Sequence, residues 1–331
     1  MTRLRDGIAG GPRRRLMPFP HADRCTQRTA EKQRRQVVMT ELDASEFRSL
    51  IIRVFPQLTA SVFKLAAKGW DSMAVDVDDT LIFKFPRHLG AERALVREAA
   101  LLDIIRPSLS IAVPDMRIHD GPPIFSSHAK LEGEHLIAED YDALGEGDRQ
   151  RLADDLARFY AELHALDADR LRAAGATAIQ PWQSPDVVRK KALPLLPADI
   201  QRFAEVVVSD FELLPPDPYG KVYGFFDGHG WNMAFDFRQG RLNGLYDFAD
   251  SGFGPLHQEF VYSNFISPDL TARIISAYEI LTGRRLDRQR ITIMTGFHRL
   301  SELAEFADDP ANFEQMIRSA TSWAAAAARA A

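Results

Sequence analysis

Asp227, Asn232 and Asp247 are residues of this chain whose types and spacing suit chemistry. The first two lie in "KVYGFFDGHGWNMAFDF", Lys221 to Phe237, with the spacing D-x-x-x-x-N. Aromatic and apolar flanks press this segment inward, where a carboxylate is costly unless it is paired, hydrogen-bonded or bound to metal. Asp247 follows in "LYDFADSGFG". Two carboxylates and an amide make a hard, oxygen-rich set, of the kind Mg²⁺ takes while it keeps waters and bridges phosphates. Phosphoryl transfer asks a protein for little more. It needs a carboxylate to accept a hydroxyl proton, oxygen ligands for Mg²⁺, and a cation on the nucleotide phosphates.

The cation is expected from "TLIFKFPR", where Lys84 stands among apolar strand residues. An unpaired ammonium there is expensive, and "REAALL" offers Glu98 on the following helix as its partner. A strand lysine paired with a helix glutamate is a device for gripping phosphates. Ile82 shares the face of Lys84 by strand alternation and suits the roof over an adenine ring.

These residues need elements to hold them. A helix is expected from Ala44 to about Gln57, stopped by Pro56. "SVFKLAAKGWDSMAVDVDDTLIFKFPR" alternates short apolar runs with Gly and Asp-Asp breaks, which reads as an antiparallel meander turning at Asp78-Asp79. A helix with Leu95, Leu102 and Ile105 on one face runs up to Pro107, and strands follow around "DMRIHD" and "PIFSSHAKL". After a connection at Lys130–Gly133 the texture becomes helical, with a stripe at Leu152, Leu156, Phe159 and Leu163. A hairpin follows Asn232, and the segment from Thr271 onward reads as helices.

In this order the motifs resemble those of the aminoglycoside phosphotransferase and choline-kinase-like family, from about Ala44 to at least Glu259. "FFDGHGWN" is similar to the family's catalytic loop H-G-D-x-H-x-x-N, with Phe225 and Phe226 in place of His-Gly. "GWDSMAVDVDDTLIFKFPR" resembles its early hairpin. "LYDFADSGFGP" resembles its metal-binding I-D-W-x-D-x-x-x-G-D-P, without the last aspartate. The resemblance implies an α+β, two-lobed protein-kinase-like fold. Its small antiparallel-sheet N-lobe would carry one main helix, and its larger, mostly helical C-lobe the catalytic loop and hairpin. The implied division is 1–43 as a disordered basic arm, 44–131 as the nucleotide-binding N-lobe and 132–331 as the catalytic C-lobe. The implied roles make Asp227 the catalytic base, with Asn232 and Asp247 holding Mg²⁺. Lys84 with Glu98 would grip the α/β-phosphates of ATP, GTP being the alternative nucleotide. The turn at Gly69–Ser72 would cover the phosphates, and the backbone around His128–Leu131, including Ala129 and Leu131, would meet adenine. The acceptor would be a small-molecule hydroxyl, and the acidic "SELAEFADDPANFEQ" suits a cationic one such as an aminoglycoside or amino alcohol. His229 is given no chemical role, His164 a structural one, and Asp250 the task of bracing its loop.

Composition narrows the classes. The 331 residues carry a net charge of -5 and a pI near 6.0, which argues against nucleic acid as the main partner. The single cysteine, Cys25, rules out an intramolecular disulfide and fits a reducing cytoplasm. No apolar run approaches the roughly 18 residues of a membrane helix, and nothing in the sequence favours monomer over dimer. The Arg-rich stretch from Met1 to Val38 has too little apolar surface to offset ordering entropy, and Met39 is the expected alternative start. Two rival readings stand beside the kinase. Asp76-x-Asp78-x-Thr80 resembles the D-x-D-x-T of haloacid-dehalogenase-like phosphatases, with Asp76 as nucleophile and Asp78 as general acid, but that family needs a doubly wound parallel sheet. A catalytically inactive kinase-like binding protein is the other, since the His-Gly before Asp227 and the final G-D-P are altered.

Overall fold

The computed structural model describes residues 44–66, 72–121 and 123–330. The expected basic arm lies outside the described residues, as do Gly69, Trp70 and Asp71 of the expected phosphate-covering turn.

Helix α1 (Ala44–Val54) buries Phe47 and Ile51. It ends two residues before Pro56, which opens a 3₁₀ turn, because proline cannot supply the next helical N–H. Strands β1 (Phe63–Leu65), β2 (Ser72–Val77) and β3 (Leu81–Pro86) form the expected meander. Asp78 and Asp79 turn it with φ of 55° and 57°. Aspartate tolerates this left-handed region through local hydrogen bonds. Here Asp79 N donates to Asp76 Oδ1 (2.9 Å) and Val62 N to Asp78 Oδ1 (2.7 Å).

Helix α2 (Leu89–Ile105) starts on His88, whose Nδ1 accepts the Ala91 N–H, and turns Leu95, Leu102 and Ile105 inward. Strands β4 (Arg117–His119) and β5 (Phe125–Ala129) complete a five-stranded sheet ordered β1-β2-β3-β5-β4. One face packs Phe83, Phe85 and Phe125 against Phe47, Phe55 and His119. The other carries Ile82 and Lys84.

The rest of the chain is mostly helical. It contains α3 (Ala138–Ala143), α4 (Glu146–His164), α5 (Ala168–Ala173), α6 (Pro185–Lys191) and α7 (Ala198–Leu213). The stripe Leu152, Leu156, Phe159 and Leu163 of α4 is fully buried and anchors the core. Four short strands follow: β6 (Lys221–Gly224), β7 (Met233–Asp236), β8 (Arg241–Leu245) and β9 (Gly252–Pro255). β7 and β8 form the expected hairpin. β6 pairs with β9 in a second ribbon that sequence pattern did not announce. Helices α8 (Pro268–Thr282), α9 (Arg288–Glu305) and α10 (Phe313–Ala330) close the chain.

The phosphatase reading does not survive this topology. Every strand ladder among the described residues is antiparallel, and the D-x-D-x-T motif is a hairpin turn. Asp76 is held on both oxygens, Oδ1 by Asp79 N and Oδ2 by Lys130 Nζ at 2.6 Å. No helix among the described residues is long and apolar enough to cross a membrane.

Candidate active site

The loop between β6 and β7 carries Asp227, and its backbone is fixed from below. Phe225 N and Phe226 N donate to the two carboxylate oxygens of Glu259, each at 2.9 Å. Glu259 is fully buried and also lies 3.4 Å from His164 Nε2. This holds Phe226 at φ 54°, a conformation that costs a residue with a Cβ roughly 1–2 kcal/mol. The family's glycine at this position would carry no such cost; here the ring packs with Val261, Tyr262 and Met294 instead. Beyond Asp227 the loop turns closely over its neighbours. A Cβ at Gly228 would collide with the Tyr160 hydroxyl, and one at Gly230 with the Leu136 carbonyl oxygen.

Asp227 is gripped at both oxygens. Asn232 Nδ2 donates to Oδ2 (2.6 Å) and to the Asp227 carbonyl (3.1 Å), while His229 Nε2 lies 3.1 Å from Oδ1. The amide therefore meets the aspartate, as the D-x-x-x-x-N spacing allows. His229, expected to have no chemical role, is a hydrogen-bonding residue whose partner, the Asp227 carboxylate, the sequence did not name. Burial works against the charged imidazole, yet the hydrogen bond and charge of Asp227, with Asp247 and Glu302 behind, raise its proton affinity.

Asp247 reaches the same region from the end of β8. Tyr246 N donates to the Asn232 carbonyl (3.1 Å), which sets Asp247 beside the loop. Asp247 adopts φ 66°, and its side chain is 47% exposed. Lys84 Nζ lies 3.1 Å from Asp247 Oδ1 and 3.6 Å from Glu98 Oε1, and Glu98 is 3% exposed. Burial opposes the ammonium, but the two carboxylates outweigh it and its pKa is raised. Glu98 Oε1 also accepts Phe248 N (2.9 Å), and the Phe248 ring meets Phe225 at 4.7 Å. The lysine, the helix glutamate, the Asp247 segment and the base of the Asp227 loop thus form one contiguous set of contacts.

The remaining expected residues line the sheet side. Ile82 pairs with His128 across β3 and β5, and Ala129, opposite Leu81, ends β5 exposed. Leu131 stands against Gly244 of β8. Lys130, between them, pairs with Asp76 and Asp79. Ser72 is the first residue of β2, opposite Pro86. β2 is an inner strand of the sheet, so Ser72 stands at a strand end and not at the sheet edge, and the rest of the expected turn lies outside the described residues.

A divalent ion suits the donors present. Asn232 uses its Nδ2 on Asp227, which leaves Oδ1 as the acceptor, and the Asp247 carboxylate is half-exposed. Among the described residues no three His, Cys, Asp or Glu side chains form a metal cluster. An ion here would complete its shell with waters and phosphate oxygens, as Mg²⁺ characteristically does.

An antiparallel sheet with one main helix, followed by a helical lobe that carries a loop and hairpin, is the protein-kinase-like fold. Solved structures of similar fold include the GDP complex of wild-type aminoglycoside 2'-phosphotransferase-IIIa, with TM-score 0.74, 18% identity and coverage of 86% of this chain and 99% of that one. The streptomycin-ATP ternary complex of APH(2")-IIa matches with TM-score 0.56 and 18% identity over 82% and 93% of the two chains. Macrolide 2'-phosphotransferase MphH from Brachybacterium faecium matches with TM-score 0.58 and 18% identity over 82% and 98%. Residues 62–292 match the model of the APH phosphotransferase enzyme family. The chain belongs to that family and is a phosphotransferase enzyme.

Proposed function

We propose that this enzyme transfers the γ-phosphoryl group of ATP to a hydroxyl of a small, cationic acceptor, with residues 44–131 as the nucleotide lobe and 132–331 as the catalytic lobe. The observation that carries this reading is the contact of Lys84 with both Glu98 and Asp247, next to a loop in which Asn232 and His229 fix the Asp227 carboxylate.

In this reading Asp227 orients the acceptor hydroxyl and takes its proton while the hydroxyl oxygen bonds to phosphorus. The bond from phosphorus to the β–γ bridging oxygen breaks, and that oxygen leaves with ADP. His229 and Asn232 keep the carboxylate from rotating away from the attacking hydroxyl. Lys84, held by Glu98, supplies positive charge to the α/β-phosphates. Asn232 and Asp247 would hold Mg²⁺, which when bound neutralises charge on the phosphate oxygens. Ile82 covers the base, the backbone at Ala129 and Leu131 meets its edge, and Ser72 stands on the phosphate side. A single cysteine fits a reducing cytoplasm as the site of action.

The acidic stretch "SELAEFADDPANFEQ" would suit a cationic acceptor. The acidic stretch of α9 and its loop is partly engaged in folding, since Asp308 pairs with Lys191 and Asp309 bonds to Ala311 and Asn312. Glu302 on α9 remains within electrostatic reach of Asp227 and His229. Kanamycin, gentamicin and streptomycin complexes are known for proteins of this fold. The test is a product assay by mass spectrometry with Mg-ATP and a panel of aminoglycosides, macrolides, choline-like amino alcohols and sugars. The reading expects a phosphorylated cationic alcohol with matching ADP release. ATP hydrolysis without any phosphorylated alcohol across the panel would contradict it.

A further inference from the structure

The sheet face that bears Lys84 also bears a histidine. Ile82 stands opposite His128, and Lys84 opposite Ser126, in the β3–β5 ladder. Directly opposed residues of an antiparallel pair project to the same face. His128 therefore lies on the side from which Lys84 reaches Glu98 and Asp247, and it feels the charges of both Lys84 and Asp247. It is 8% exposed, a buried histidine on the face that carries Lys84 and not a solvent-facing one.

One bond fixes its tautomer. His128 Nδ1 lies 2.9 Å from the Ala129 carbonyl oxygen. A carbonyl only accepts, so Nδ1 carries the hydrogen. Burial, with Lys84 nearby, lowers the affinity for a second proton. The ring is then neutral, and Nε2 presents a lone pair. Among the described residues the hydrogen bond of this ring is the one at Nδ1, so Nε2 is the nitrogen left to accept.

We propose that His128 Nε2 reads the 6-substituent of the purine and selects the 6-amino group of adenine nucleotides over the 6-oxo group of guanine nucleotides. The proposal rests on the reading of this cleft as a nucleotide site, with the base edge against residues 129–131. A 6-amino group donates to Nε2. A 6-oxo group sets lone pair against lone pair and leaves two buried acceptors unsatisfied, which is where polar discrimination is strongest. The imidazole also donates to the Ala129 carbonyl, so side chain and strand end act as one rigid reader.

Calorimetric titration of the full chain with four diphosphates tests this without knowledge of the acceptor. ADP and 2-aminoadenosine diphosphate share the 6-amino group; GDP and inosine diphosphate share the 6-oxo group. The first two should bind alike, and the last two at least about tenfold more weakly, the scale of one unsatisfied polar group. His128→Leu should shrink that gap to within about threefold. Inosine diphosphate binding as tightly as ADP would overturn the proposal, because discrimination would then lie at the 2-position. An unchanged gap in folded His128→Leu would overturn it as well. If none of the four binds, the nucleotide reading of the cleft fails, and this proposal falls with it.

Discussion

Lys84 Nζ lies 3.1 Å from Asp247 Oδ1, a contact between residues 163 positions apart. One ammonium thereby joins β3, α2 through Glu98, and the segment after β8. Lys84→Met should abolish most nucleotide affinity. It should also cost about 1–3 kcal/mol of stability, since Glu98 loses its partner and takes up a proton in compensation. A carboxyl with a raised folded pKa makes the native state the better proton binder, so stability falls as pH rises above the ordinary glutamate value. The deficit measured by urea unfolding should therefore be larger at pH 8 than at pH 5. Adding Glu98→Gln should recover stability but not nucleotide binding.

Glu259 is the only side chain among the described residues seen to bond both amides preceding Asp227. Glu259→Gln turns one of its two acceptors into a donor facing an N–H. The expected cost is about 1–3 kcal/mol, with a fall in kcat larger than the change in acceptor KM, because the loop that positions Asp227 loosens. Equal unfolding midpoints for wild type and variant would show that the two bonds contribute nothing.

Glu302 gives a pH signature. Burial pushes its carboxyl up to about 7, against Arg299 and His229 and with Asp227 and Glu305. The folded state then binds more protons than the unfolded one between about 4.5 and 7, so stability falls across that window as pH rises. Glu302→Gln removes the titration. The variant should match wild type near pH 5 and exceed it by about 1–3 kcal/mol at pH 8, as read from paired denaturation curves. A gain of the same size at both pH values would rule out titration as the cause.

The parts of this site legible in sequence were those with local pattern. Lys84 among apolar strand residues demanded a partner, and Glu98 is that partner. The Asp78-Asp79 break is a hairpin turn, as the sequence expects, whereas the bond between Asp227 and Asn232 was not among the expectations for these two residues. What escaped was long-range or backbone-encoded. The β6–β9 ribbon pairs Lys221–Gly224 with Gly252–Pro255, two four-residue strands with glycines and too little alternation to announce themselves. The Lys84–Asp247 contact leaves no trace in either neighbourhood. The left-handed Phe226 is invisible because phenylalanine has no preference for that conformation. Glu259 did leave a signal, a lone carboxylate inside the apolar "PLHQEFVY", of the kind that needs buried donors.

Asp76 and Asp78 test the turn against the nucleophile directly. Changed together to Asn, they keep side-chain size and the capacity for left-handed turns, and Asp76 gives up its pair with Lys130, part of which is solvent-exposed. Stability should fall by about 1 kcal/mol, and ATP-dependent phosphorylation should persist. Loss of all activity with an unchanged melting profile would reopen a chemical role for these residues.

Asp227→Asn decides the central claim. Asparagine keeps the size and shape of the side chain, gives up one of the two acceptors that Asn232 and His229 hold, and cannot take the hydroxyl proton. With the acceptor found by the product screen, and both substrates saturating, kcat should fall by about 10²–10⁴-fold, the usual contribution of a positioned general base. Calorimetric Mg-ATP affinity should stay within about threefold of wild type. A fall in kcat of less than tenfold, with the variant folded and ATP bound, would contradict the assignment of Asp227 as the base.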